Sequence, residues 1–194
     1  MLAHQETLLN IYESLNDSSE FLTISEATAF IRSFFSSYKN ENEWLVNDYY
    51  SMDQCVNSKE MSACEENRAT ACCFAGACET TLEEAARNLT FAGYEREAEN
   101  LCDTIGRIYV AEDLLLDNAR DLFGYWTEMT ISLYLIFILN HERRHSHQSW
   151  EFINENRIQN AVNSLSIEDY NAIPSELDAN NAGLEAVREY FNVL

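Results

Sequence analysis

The residues with the clearest potential for chemistry lie in the stretch 127–147, where the most apolar run of the chain meets three of its four histidines. His141 and His145 are four residues apart and Glu142 follows the first of them, which gives an H-E-x-x-H pattern. On one helix, this spacing lets both imidazoles bind a zinc ion while the glutamate polarises a bound water. The pattern predicts a zinc-dependent hydrolase if the helix continues, and a loop if it ends at Asn140.

Three features of the sequence count against a zinc site. Arginines occupy both middle positions of the pattern, and two guanidiniums beside a dication would weaken its binding by repulsion. The extended form of the motif needs Gly and a third ligand, His, where this chain has Gln148 and Glu151. The residues Ser-His-Gln-Ser at 146–149 are typical of a helix N-cap. We therefore expect 140–147 to be a charged loop, with no metal and no catalytic residue.

The zinc alternative stays open beside this expectation. In that case His141 and His145 are the ligands and Glu142 is the base. The six cysteines do not offer a second zinc site, because their spacings lack the C-x2-C pairs of structural zinc sites. They are predicted to be free thiols and are Cys55, Cys64, Cys72, Cys73, Cys78 and Cys102.

Composition predicts that helices must position these residues. Glycine (5) and proline (1) are scarce among 194 residues, so the chain lacks the turn residues that an all-β fold needs at every hairpin. A chain of this length is also long enough for one well-buried core. We predict an all-α fold in which residues 1–194 form a single compact multi-helix domain.

Apolar residues at helical spacing predict where the individual helices lie. Thr23 and Glu26 form a capping box at the start of the second helix. A long irregular loop is predicted at about 40–68, with room for a short strand pair at 44–50. The predicted helices are 3–16, 24–39, 68–89, 94–104, 105–122, one from about 126, 149–165, a short one at 166–173 ended by Pro174, and 179–192.

The net charge of −21, from 33 acidic and 12 basic residues, limits the partners. Direct binding to nucleic acid is not expected, because that affinity comes largely from cations that neutralise phosphates. A partner with a basic surface is favoured instead. No signal-peptide pattern precedes the chain's helices, and the apolar run 131–139 is shorter than the roughly 20 residues of a membrane span. A cytoplasmic location without membrane contact is therefore expected.

Part of this acidic charge lies at strict i, i+4, i+8 spacing. Such ladders destabilise a helix by roughly 0.2–0.5 kcal/mol for each pair of like charges, so they are either tolerated in solvent or used. Each ladder is a row of carboxylates about 6 Å apart, within a factor of two of the phosphate spacing along DNA. The two ladders are Glu95, Glu99 and Asp103, and Asp113, Asp117 and Asp121.

Several short motifs follow one another in order along the chain, and they are Trp44, Tyr49, Cys73-Phe74-Ala75-Gly76-Ala77, Leu139-Asn140 and the run 148–162. Their order resembles a family of small uncharacterised helical proteins found mainly in actinobacteria and their phages. The resemblance covers about 30–165. It implies a loop at 141–147, no assigned enzymatic site, and a phage or mobile-element setting. The chain departs from the family at His141, at an insertion around Cys55–Cys64 and after 165.

These observations favour a non-enzymatic acidic binding protein. Its most specific form is a phage-type inhibitor that mimics nucleic acid and blocks a host nucleic-acid-binding defence complex of the restriction or CRISPR type. The six ladder carboxylates would then bind Arg and Lys of the partner. Two alternatives remain, the zinc hydrolase described above and a helical subunit of a larger assembly, which predicts an apolar patch around Trp44–Tyr50.

Overall fold

The computed structural model of the protein describes residues 2–41, 50–51, 71–73, 108–148, 152 and 166–193. Helices dominate this part of the chain, which confirms the predicted all-α fold class. The helices are α1 (Ala3–Ser14), α2 (Ile24–Glu41), α3 (Glu112–Phe123), α4 (Glu128–His147), α5 (Ile167–Asn171) and α6 (Pro174–Phe191). The strands are β1 (Tyr50–Ser51), β2 (Ala71–Cys73) and β3 (Ile108–Val110). The division into a single domain over 1–194 stays a prediction.

Helix α4 is the central element of the described part. Its start is fixed by Thr127, whose hydroxyl accepts a hydrogen bond from the Thr130 amide at 3.1 Å and donates one to Asp17 at 2.7 Å. Every side chain from 131 to 139 is buried. A helix that is apolar on all sides must be covered on all sides, so the remaining helices pack around α4.

The helices that surround α4 contribute one apolar face each. Since these faces meet α4 and one another, the buried side chains form one continuous cluster. The buried side chains that they supply are Leu8 and Ile11 from α1, Ala27, Ile31, Phe35 and Tyr38 from α2, Leu115, Leu116, Ala119 and Phe123 from α3, and Leu184 and Val187 from α6.

Helix α6 runs antiparallel to α4 and approaches it closely at Gly183. A Cβ at this position would lie 2.7 Å from both the ring and the carbonyl oxygen of Phe137. Real Cβ atoms do not approach other atoms this closely, so only glycine permits the observed distance between the two backbones. The contact also sets the register in which residues of α6 face those of α4.

The predicted loop at 140–147 is wrong, because α4 continues without interruption through His147. Asn140 does not end the helix. Its amide donates to the carbonyl of Ile136 at 2.8 Å and to the Tyr38 hydroxyl at 3.1 Å, so it is buried with its hydrogen bonds satisfied. Of the predicted N-cap segment 146–149, residues 146–147 belong to α4 and Gln148 is its C-cap, while Ser149 lies outside the described residues. The predicted helix 149–165 lies outside the described residues, apart from residue 152.

Two segments that were predicted to be helical are extended. Residues 71–73 form β2 instead of a helix start, and 108–110 form β3 instead of the first part of helix 105–122. Strand β3 lies between the other two, parallel to β1 and antiparallel to β2. Ile, Tyr and Val in β3 fit a pleated strand better than a helix, which accounts for the error. Most of the predicted loop 40–68 and strand pair 44–50 lies outside the described residues.

The last helix begins earlier than the predicted 179–192. Pro174 is in the first turn of α6, where its fixed φ suits a helix. Its missing N–H costs no hydrogen bond there, because N–H groups of the first turn have no acceptor within the helix. The short predicted helix before it is present as α5. The earlier start matters for function, because it adds a helical turn that contains Glu176.

Gly124, with a φ of 88°, ends α3 and lets the chain turn sharply into α4. The two helices are bent by 115° relative to each other. Among the described residues, no single helix is both long enough and apolar enough to cross a membrane. Helices α3 and α4 meet these length and composition criteria only when they are taken together as a bent pair.

We expect Gly183→Ala to lower the free energy of unfolding by about 1–3 kcal/mol, because the new methyl group forces α6 away from Phe137. Chemical denaturation measures this loss. Asn181→Ala is the matched control, since Asn181 is exposed on the same helix and should tolerate the change. Equal losses in the two variants would contradict the tight helix contact.

Candidate metal centre

Three ligand atoms from two helices converge near the end of α4. The Nε2 atoms of His141 and His145 are 3.1 Å apart. Oε2 of Glu176, from α6, lies 3.5 Å from the first and 3.4 Å from the second. A tetrahedral ion with ligand bonds of about 2.0 Å spaces its ligand atoms about 3.3 Å apart, so this triangle has the dimensions of a zinc site. These three residues form the candidate metal centre.

The fold explains why these three side chains meet. His141 and His145 are one turn apart on α4, so their rings project from the same face. Glu176 is in the first turn of α6, where the helix dipole favours a carboxylate. The antiparallel packing of the two helices then brings Glu176 to the histidines. Two His and one Glu form a ligand set that catalytic zinc sites use with a fourth position open.

Hydrogen bonds from outside the triangle hold both rings. Nδ1 of His141 lies 3.1 Å from the side-chain oxygen of Asn180, and Nδ1 of His145 lies 2.8 Å from that of Gln148. An imidazole that uses Nδ1 in this way presents Nε2 to a metal. Both rings are therefore oriented for ligation through the atoms that face Glu176.

The electrostatics of the centre favour a cation within it. Burial alone would lower the pKa of His145, but the hydrogen bond and charge of Glu176 and the charge of Glu142 raise it to about 8. Burial would raise the pKa of Glu176, but hydrogen bonds to His141 and His145 and their charges hold it well below its usual range. The centre therefore stabilises positive charge on its imidazoles beside an ionised carboxylate.

Two further groups adjoin the triangle. Glu142 is buried, and its Oε1 lies 4.0 Å from Nε2 of His141. The Tyr170 hydroxyl donates to Oε1 of Glu176 at 2.8 Å, while Oε2 of that carboxylate faces the histidines. The centre therefore contains a second carboxylate, at the position of the H-E-x-x-H glutamate, that does not belong to the ligand triangle.

Repulsion by the two arginines of the motif is smaller than the sequence suggested. Arg144 donates to the carboxylate of Asp178 through Nε at 2.7 Å and through Nη2 at 3.2 Å. Asp178 therefore neutralises its charge. Burial raises the pKa of Tyr38 in α2, and the charge of Arg143, which lies near that phenol, opposes the rise. Neither arginine argues against a cation at the histidines as strongly as its place in the motif implied.

Sequence reasoning found His141, Glu142 and His145 but missed Glu176. It sought a third ligand at the fixed spacing of one motif, whereas the structure offers one from a separate helix. By chemistry alone, any later Asp or Glu qualifies as the third ligand. A helix start recognised at Pro174 would have marked Glu176 as a first-turn carboxylate, but only the packing of α6 against α4 selects it.

Half of the predicted acidic surface lies on α3. Asp113 and Asp121 are exposed, while Asp117 forms an ion pair with Arg120 at 2.9 Å. This pairing removes part of the negative charge of the ladder. The other predicted ladder, Glu95, Glu99 and Asp103, lies outside the described residues. That the two ladders share one face therefore stays a prediction.

The fourth histidine of the chain, His4, also lies near the centre. Its ring stacks on Phe137 with the centroids 5.3 Å apart, and the Phe137 ring is 6.0 Å from that of His141. Burial, together with the charge of His141, lowers the pKa of His4 to about 4. The first turn of α1 thus places a neutral imidazole beside the centre at physiological pH.

We expect the lowered pKa of His4 to reduce stability in acid. The unfolded chain binds a proton near the ordinary pKa of 6.5 and the folded chain only near 4, so stability falls as the pH drops through this window. The loss should be about 1–2 kcal/mol, after a discount for the part of the ring that solvent reaches. Denaturation of wild type and His4→Phe at both ends of the window measures it. The variant keeps the stacking and should lose less; equal losses would contradict the assignment.

Comparison of the chain with family models, with curated proteins and with solved structures finds no match in any of the three. The resemblance to small helical proteins of actinobacteria and phages therefore stays a prediction. One of its motifs, Leu139-Asn140, was expected to end a helix, but it lies in the interior of α4. The geometry of the candidate metal centre is the basis for any functional proposal.

Proposed function

We propose that the protein is a zinc-dependent hydrolase whose metal is held by His141, His145 and Glu176. The observation that carries the proposal is the triangle of two Nε2 atoms and one carboxylate oxygen, with edges of 3.1, 3.5 and 3.4 Å. Independent support comes from Glu142, which occupies the position of the general base in the H-E-x-x-H pattern. This proposal replaces the expectation of a protein without metal or catalytic residues.

The chemistry proposed for the centre divides between the ion and the chain. Bound zinc would supply a lowered pKa for its water and polarisation of a substrate carbonyl. Glu142 accepts the proton of the attacking water and passes it to the leaving group, which is the work of a general base followed by a general acid. Tyr170 and the outer amides of Asn180 and Gln148 hold the ligand side chains in place.

The net charge of −21 bears on the substrate. A strongly negative protein attracts cationic molecules and repels anionic ones, which disfavours nucleic acids and other phosphate esters. We propose a polypeptide substrate with basic residues, hydrolysed at an amide bond. The cytoplasm remains the proposed compartment.

We expect the purified protein to bind one zinc ion. Loss of a ligand in His145→Ala or Glu176→Ala should weaken zinc by more than the roughly 10–100-fold that loss of an outer partner costs. Glu142→Gln should retain zinc but lower hydrolysis of a basic peptide library by about 100-fold or more. Elemental analysis, competition with a chelator and mass spectrometry of the peptides provide the measurements.

The matched control is Glu185→Gln, which removes an exposed carboxylate from the same helix as Glu176 and should change neither property. Unchanged zinc affinity in Glu176→Ala would refute the ligand set. Zinc binding with no hydrolysis would leave a metal site without catalytic activity. Hydrolysis that survives Glu142→Gln would refute Glu142 as the general base.

A second candidate function is the acidic inhibitor that mimics nucleic acid. The exposure of Asp113 and Asp121 on one helix favours it, and the ion pair of Asp117 with Arg120 works against it. The third interpretation, a subunit of a larger assembly, depends on the patch around 44–50, which lies almost entirely outside the described residues.

If the protein is such an inhibitor, we expect its partner to be released by raised salt and by duplex DNA. Both compete with a carboxylate surface for the same Arg and Lys side chains. A pull-down from bacterial lysate at two salt concentrations, with and without DNA, tests this. The double variant Asp113→Asn with Asp121→Asn should capture less partner than Glu185→Gln does. Capture that is insensitive to salt and DNA would rule the mimic out.

A further inference from the structure

Gln148 ends α4 with a side chain whose polar atoms are all engaged. The residue is buried, with 6% of its surface exposed. Its Oε1 lies 2.8 Å from Nδ1 of His145. Its Nε2 donates to the carbonyl of Ser175 at 2.8 Å and to the carboxylate of Asp178 at 2.9 Å. One amide therefore connects a ligand histidine of α4 to two residues of α6.

The contacts with α6 determine which way this amide faces. The Ser175 carbonyl and the Asp178 carboxylate can only accept hydrogen bonds, so the group that faces both must be the NH2 of Gln148. The reversed amide would place its oxygen against two acceptors, with no compensating bond. The oxygen of Gln148 must therefore face His145.

The direction of the amide in turn determines the protonation of the ring. An amide oxygen only accepts, so Nδ1 of His145 must carry the proton in their shared hydrogen bond. When the ring is neutral, Nε2 is then a lone pair, and it faces His141 and Glu176. This is the tautomer that a metal requires at Nε2.

Asp178 is itself held in place. Arg144 binds both of its carboxylate oxygens, at 2.7 and 3.2 Å. The hydrogen bonds form a chain from Arg144 through Asp178 and Gln148 to His145, which begins and ends on α4 and passes through α6. A ring held by such a chain cannot rotate away from the centre without breaking buried hydrogen bonds.

We infer that Gln148 is a positioning residue that fixes His145 as the Nδ1–H tautomer, with Nε2 directed at His141 and Glu176. Without this acceptor, the neutral ring is free to carry its proton on Nε2, the atom that faces the centre. The use of this tautomer for metal binding rests on the proposed function. The tautomer itself is a property of the chain and can be measured without metal.

The test uses nitrogen NMR of the metal-free protein with labelled histidine, at a pH at which the same spectra show the His145 ring to be neutral. In the wild type we expect the His145 signals of an Nδ1–H ring. Gln148→Met keeps the length of the side chain but removes the acceptor, and it should lose that signature. Zinc affinity should fall about 10–100-fold in the same variant.

One further variant shows whether the effect is specific. Asn180→Leu removes the acceptor of His141, so it should alter the His141 signals and leave the tautomer of His145 unchanged. A general loss of packing around the centre would not follow this pattern.

The outcomes separate the two proposals. An unchanged His145 tautomer in Gln148→Met overturns the inference, whatever the protein does with zinc. The wild-type tautomer together with no zinc binding sustains the inference and removes the proposed function. If Gln148→Met does not fold by circular dichroism, the wild-type spectrum decides, because a neutral His145 ring that carries its proton on Nε2 overturns the inference as well.

Discussion

The close antiparallel contact of α4 with α6 is the constraint on which the candidate centre depends. Gly183 lets α6 rest on the backbone of Phe137, and from that point the two helices stay in register. One turn further along α4, His141 meets Asn180, and one turn beyond that, His145 meets Glu176. A displacement at the glycine is therefore carried to every pair that follows. The geometry of the candidate centre is thus a consequence of ordinary helix packing.

Buried charge gives the centre its chemical character. Glu142 and Glu176 are largely removed from water, and the cost of burying an ionised carboxylate is large unless a positive partner accompanies it. The imidazoles of His141 and His145 supply that partner when they hold a proton, and a dication would supply it more strongly. The same arrangement explains why the pKa values of His145 and Glu176 shift in opposite directions.

Periodicity and capping predicted α1, α2 and the apolar body of α4, because local rules act within each of these segments. Asn140 was wrongly predicted to end the helix. Its side-chain amide instead donates hydrogen bonds to the carbonyl of Ile136 and the hydroxyl of Tyr38, so it is tolerated in the helix interior. Ile, Tyr and Val at 108–110 favour a strand locally, but the pairing of this segment with the distant residues 71–73 has no local signal. Glu176 was not predicted as a ligand for the same reason, because it contacts the histidines only when α6 packs against α4.

The division of the ligands between α4 and α6 links metal binding to the formation of the tertiary structure. A chain in which α6 has not docked offers at most the two histidines of one helix, a weak chelate. The full set of three donors exists only in the native state. An ion that prefers the native state shifts the folding equilibrium towards it by mass action, in proportion to the logarithm of its concentration. If the centre holds zinc, the stability of the folded protein would depend on the metal supply of its surroundings.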